Sequence, residues 1–204
     1  MQDKVTAEEV VEYWLADSTE SPEKALAQKQ RWYRGGPTVD AEIVSRYTAS
    51  VEAALRRELH GWAATSTGVM GLVILLDQFT RTIYRGSAAA FSGDPIAYDV
   101  VTSAIEQGLD KAMPVPGRIF FYHPFHHAET VAGQDRAIAL VAAMKDEYPT
   151  EWHDYIQQSV DGFTRHRNIV ARFGRFPHRN AVLGRETTAE EKEYLDGGAD
   201  RFGQ

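Results

Sequence analysis

Asp77, Gln78, Arg81 and Arg85 recur at helical spacing directly after the most apolar stretch of the chain, Val69 to Leu76. A carboxylate and a guanidinium four residues apart share one helix face, and on an exposed helix such a pair contributes only about 0.3–0.5 kcal/mol. One turn beyond an apolar run, partial burial is expected instead. There an unpaired charge is costly, and pairing or ligand contact becomes obligatory.

A second group of candidates is His123-Pro124-Phe125-His126-His127-Ala128-Glu129. His127 is the candidate general acid or base, oriented by a carboxylate from Glu129 or Asp77. His123 and His127 would face one ion if the backbone between them were helical, but Pro124 opposes that geometry and the spacing His-Glu-x-x-His is absent. No metal is expected.

The third group is a reversal of charge. Between Arg165 and Arg185 the chain carries six arginines and two histidines without an acidic residue, although its net charge is -7. Within it, Phe173 and Phe176 are expected to pin the loop to the core and Pro177 to stiffen it. Arg172, Arg175, His178, Arg179 and Asn180 are then preorganised donors for an anion. His166 falls beside the inward stripe of the preceding helix and would position the ligand. The competing reading is structural: cations complement a helix C-terminus and neutralise acid elsewhere in the chain.

Composition limits what can surround these groups. A chain of 204 residues with 43% hydrophobic and 11% aromatic content suits one domain, residues 1–204, with a substantial core. The acidic balance argues against nucleic acid and membrane surfaces as partners. The absence of cysteine excludes disulfides, thiolate nucleophiles and thiolate-bound zinc, and fits a cytoplasmic protein. Met1 to Val5 lack the pattern of an export signal. No nucleotide loop, dinucleotide fingerprint or serine elbow appears, so no cofactor is expected.

Helix signals dominate the elements that must position the candidates. Thr6 with Glu9 predicts a capping box before Val10, Val11, Trp14 and Leu15. Ser21-Pro22 opens a second helix ending at Gly35-Gly36, and a long stripe from about Asp40 is expected to stop at Gly61. The run Val69 to Leu76 is read as helix because it continues into Asp77 to Arg81 without a turn signal before Gly86. Asp94 caps a helix with Pro95 at its start, and Gly108 ends it. A helical turn kinked or restarted at Pro124 comes next, with helix resuming through His127, Glu129 and Gln134 and its later part, Ile138 to Met144, buried. The last long helix spans Glu151 to Phe173 with Gly174 as its cap, and Thr187 with Glu190 frames a short final helix. The expectation is an all-α, single-domain array of antiparallel helices.

Three motifs resemble the bacterial domain of unknown function family 924, from about Val10 almost to the end of the chain. They are Leu76-Asp77-Gln78-Phe79 with Arg81, Tyr84-Arg85-Gly86 and Ala90-Phe91; Pro124-Phe125 with His127 and Glu129; and Arg172 to Asn180 with Leu183-Gly184-Arg185. The resemblance implies a tetratricopeptide-like helical fold and this residue set, and it implies no chemistry. Thr80 stands where that family usually shows proline and Thr82 where asparagine is common. Ala128 stands where serine normally lies, which removes any nucleophilic role for a serine there. His123 and His126 lie outside the family pattern.

Together these features predict a pocket for a small anionic molecule, a carboxylate or phosphate. Arg175 and Arg179 would clamp it, supported by Arg81, Gln78 and Arg85, with acid or base work by His127. The rival reading is a helical scaffold that presents its arginines to an acidic peptide or partner protein.

Overall fold

Thr6 caps α1 (Ala7–Leu15), and the reciprocal bonds with Glu9 complete the expected capping box. The computed structural model describes residues 5–198. Residues 1–4, part of the segment lacking an export pattern, lie outside the described residues, as do 199–204. Ser21 caps α2 (Pro22–Arg34), with proline in its first turn. Helix α3 (Pro37–Leu55) starts earlier than Asp40, because Pro37 presets the first helical turn, and ends well before Gly61. Arg57 there takes a left-handed φ of 61°, and a 3-10 turn, His60–Ala64, leads onward.

The apolar run is helical, and it contains a feature that periodicity does not reveal. After α4 (Ser66–Val73), Ile74–Phe79 form a π-helical turn before α5 (Thr80–Ile83). One extra residue in that turn rotates α5 relative to α4. The apolar residues of α4 therefore enter the core while Gln78 and Arg81 face a cavity. Thr80 donates its hydroxyl to the Leu76 carbonyl at 2.8 Å, within the widened stretch.

Helix α6 (Asp94–Glu106) is capped by Gly93, which corrects the reading of Asp94 as the cap. Gly93 lies against the π turn so closely that a Cβ would fall 2.1 Å from the Leu76 carbonyl oxygen. Glycine is thus required by close approach, and Asp94 is shifted into the first turn with its carboxylate available to the site.

Helices α7 (Val115–Phe121) and α8 (His123–His126) break and restart beside Pro124. The chain is helical from His123 to His126, and the amide of His127, which caps that turn, donates to the His123 carbonyl at 2.8 Å. The following turns reach α9 (Val131–Ala143), capped by Thr130, so Glu129 precedes the helix instead of lying in it. In α9 and the turn after it, Ala137, Val141 and Met144 are buried, and Ile138 only partly. Helix α10 (His153–Phe173) follows a 3-10 turn, Thr150–Trp152, and ends at Gly174 in the left-handed region, as expected. The final helix, α11 (Ala189–Asp196), is capped by Thr188 with Glu191, one residue beyond the expected pair.

Helix α9 packs along α10, α1 lies on α4, and α3 covers the π turn and α5. Edge-to-face ring contacts tie α1, α2, the π turn and α7 together: Trp14–Phe79 at 5.5 Å, Trp14–Phe120 at 5.5 Å and Trp32–Phe120 at 4.9 Å. Burying Phe79 or Phe120 contributes roughly 1.5–3 kcal/mol each. A separate small cluster of Ile169, Val170 and Phe176, with Phe173 and Tyr194 against it, joins the end of α10 to α11. Among the described residues the structure is all-α, and no helix is long and apolar enough to cross a membrane.

Candidate functional site

The π turn places the Asp77 carboxylate where no solvent reaches it. Three donors converge on it. His127 Nδ1 lies 2.7 Å from Oδ1, Arg81 Nη1 lies 3.2 Å from the same oxygen, and the Gln78 amide donates to Oδ2. Burial alone would raise the Asp77 pKa, but the Arg81 guanidinium and His127 outweigh it and hold the carboxyl below the usual range. Asp77 is therefore an acceptor only. The proton on His127 then belongs on Nδ1, which assigns the tautomer and leaves Nε2 with a lone pair. Burial beside Arg81 depresses the His127 pKa well below the ordinary histidine value, so the ring is neutral at pH 7.

Arg81 is also bound to Asp94, with nitrogen–oxygen distances of 3.0 and 3.1 Å. Asp94 in turn faces Arg179 at 3.5 Å. Burial and the nearby Asp77 lift the Asp94 pKa, and the two guanidiniums oppose that rise. Arg179 is 6% exposed, its guanidinium lies 4.6 Å from the ring centres of both Phe91 and Phe176, and its Nε has no hydrogen-bond partner among the described residues. Burial first and Arg81 second pull its pKa down to about 10. Asp77, Asp94, Arg81 and Arg179 form an electrically balanced quartet.

Arg81, Arg179 and His127 border a cavity of ≈ 770 Å³ bounded by α1, α2, α3, the π turn, α5, α8, α10 and the loop after α10, with Asp77 and Asp94 behind them. Five of the seven histidines of the chain line it: His123, His126, His127, His166 and His178. Each is held toward the neutral form, chiefly by burial; His166 is pushed to about 4 and His178 to about 3. His123 donates Nδ1–H to the Ile119 carbonyl at 2.9 Å and stacks on Phe120. No group of three or more metal-ligating side chains suited to an ion occurs among the described residues.

Of the residues singled out in the sequence, Gln78, Arg81, Arg85, His127, His166, His178 and Arg179 line this cavity, with Asp77 directly behind His127. Arg85 stands at the exposed rim, paired with Asp40 at 2.7 Å. The others are placed elsewhere. Glu129 accepts from Arg185 at 2.6 and 3.0 Å and from the Phe176 amide at 2.7 Å, so it fixes the loop and does not orient His127. Arg175 is bidentate on Glu191 at 2.6 and 2.8 Å, and Asn180 donates to Glu191 at 3.2 Å. Arg172 pairs with Glu190 at 2.9 Å on the surface. The run of cations thus divides, Arg172 and Arg175 turning toward α11 and Arg179 into the cavity.

Asp94, Lys29, Arg34, Arg165 and Phe163 belong to this region and were not among the candidates. An Asp-Pro pair signals a helix start, which hid Asp94. Lys29 and Arg34 carried no signal beyond a helix opened by Ser21-Pro22.

The model of the family described as bacterial protein of unknown function, DUF924, matches residues 10–199. The chain belongs to this family. A solved structure from Agrobacterium tumefaciens, also a protein of unknown function, is similar to this DUF924 protein. The two are 36% identical over 94% of this chain and 97% of that chain, with a TM-score of 0.78. No curated protein matches it. The three motifs of the DUF924 chain contribute Asp77, Arg81, His127 and Arg179 to the region just described.

Proposed function

We propose that the cavity binds a small molecule bearing a carboxylate or phosphate group, and that His127 serves it as a general base or acid. The observation that carries this reading is the Asp77–His127 pair, at 2.7 Å, beside a guanidinium held between two rings with a nitrogen unpartnered. Asp77 orients the imidazole and would stabilise its protonated form, and Nε2 is the atom that takes or returns a proton. Arg179 and Arg81 supply the forked donors for the anion. A volume of ≈ 770 Å³ suits a metabolite-sized ligand.

The alternative, a scaffold for an acidic peptide, has less support because Arg172 and Arg175 already hold the chain's own Glu190 and Glu191. Thermal melts of the full chain with carboxylates, phosphates and nucleotides test the main reading. A ligand at a hundredfold its Kd adds about 2.7 kcal/mol of stability. That gain should vanish in Arg179→Lys and persist in Arg175→Gln, while His127→Gln abolishes turnover with binding retained. A ligand whose stabilisation depends on Arg175 and not on Arg179 contradicts the proposal.

A further inference from the structure

The cavity holds a second set of cations that the quartet does not use. Lys29 and Arg165 both line it, and among the described residues neither has a carboxylate within ion-pair distance. Lys29 donates to Gln158 at 2.9 Å and lies 5.0 Å from the centre of the Tyr155 ring. Its pKa is lowered by burial and by the charge of Arg165. Two like charges brought together without a counter-ion repel, and a bound anion relieves that repulsion.

The position of this pair along α10 gives it meaning. The Arg165 side chain runs back toward the helix N-terminus, as helical side chains do, so that one of its terminal nitrogens would lie 3.7 Å from a Cβ at Gly162. It therefore approaches Lys29 at the level of Gln158 to Gly162. The quartet lies beyond the other end of this face, where His166 meets Phe176 at 5.6 Å and Phe176 meets Arg179. Gln158 and His166 are eight residues apart on one helix, about 12 Å along its axis. The interval is floored by rings: Phe163 stacks on His126 at 3.9 Å, and His126 meets His166 at 4.0 Å. Phe163 and His126 lie nearly parallel and His166 is tilted against them, so the interval is lined by rings that carry no charge.

Building on the proposed function, we propose that the ligand is an elongated dianion. One anionic group sits at Arg179 and Arg81, the other at Lys29 and Arg165, and an apolar or aromatic middle lies over Phe163, His126 and His166. A single-ended anion would satisfy only the inner site and leave the outer cations facing each other.

The test is calorimetric binding of α,ω-dicarboxylates from malonate to sebacate, each compared with the monocarboxylate of equal length, on the full chain and on a Lys29→Gln/Arg165→Gln double variant. Both substituted residues are at the cavity's outer end, so the variant should fold, and an unchanged melting temperature without ligand verifies that. The expected result is an affinity optimum among the longer diacids, at least tenfold above the matching monoacid, with that advantage lost in the double variant and monoacid binding retained. If monoacids bind as tightly as diacids, or if the double variant keeps the diacid advantage, the second anion site is refuted while the inner one stands. If no acid of either kind binds, the elongated dicarboxylate is refuted, and the inner site fails with it only if phosphates and nucleotides also leave the melting midpoint unmoved.

Discussion

Replacing Asp77 by asparagine removes one charge from the quartet and leaves volume almost unchanged. In the native protein the carboxylate accepts from Arg81, His127 and Gln78 in a solvent-free position. Removing one partner of a buried ion pair costs about 3–5 kcal/mol, because the other charge is left uncompensated. Here Arg81 keeps Asp94 at 3.0 Å, so the loss falls below that range, about 2–3 kcal/mol. For a chain of this length each kcal/mol moves the midpoint by about 2–4 °C, so Asp77→Asn should melt roughly 4–12 °C lower. The asparagine amide can also donate to His127, which would move the imidazole proton from Nδ1 to Nε2 and remove the lone pair facing the cavity. Calorimetry reads the first effect, and nitrogen-15 chemical shifts of His127 read the second. A midpoint within a degree of the native one, with the imidazole tautomer unchanged, would mean that Asp77 neither balances Arg81 nor orients His127.

Further predictions concern the frame and its pH response. The five cavity histidines have folded pKa values below the unfolded value near 6.5, so the unfolded chain binds more protons and stability falls as pH drops from about 6.5 toward 4, where His166 begins to titrate. Melting midpoints measured from pH 8 to 4 should be level above pH 7 and decline steadily below; a flat profile between pH 7 and 5 contradicts the burial argument. Gly93→Ala should cost about 1–3 kcal/mol or more, since the added methyl collides with the Leu76 carbonyl, and denaturant unfolding will show it. Glu191→Gln should release α11, because Arg175 holds Glu191 at 2.6 Å and lowers its pKa to about 2. Hydrogen exchange should then accelerate across 189–196 and stay unchanged in α4, which is buried throughout its later turns.

The all-α architecture was legible because its punctuation is local. Thr6 with Glu9, Ser21 before Pro22 and Gly174 after Phe173 each satisfy orphaned groups at a helix end, so their positions in the sequence mark the boundaries. The π turn was hidden because it alters the hydrogen-bond register of Ile74–Phe79 without altering the pattern of residue types. The site was legible in part for a similar reason. Asp77, Arg81 and His127 stand out as polar groups beside apolar runs, and the structure brings them together. Arg175 and Arg179 have the same chemistry in the sequence, and the choice between them depends on the turn after Gly174 and on Glu191, which lies on another helix. Asp94 could not be separated from an ordinary cap until Gly93 was seen against the Leu76 carbonyl.

The charge balance of the quartet bears on energetics in solution. Two acids and two arginines already cancel, so an anionic group at the inner site arrives in surplus, among imidazoles that are uncharged at neutral pH. Its field would raise the basicity of the nearest ring, and uptake of a hydrogen ion from the buffer would accompany complex formation. The apparent heat of association should therefore vary with the ionisation enthalpy of the buffer, and affinity should improve on mild acidification. Guest and hydrogen ion would then enter the chamber as a pair, placing on His127 Nε2 the very proton an acid catalyst must hold before it can act.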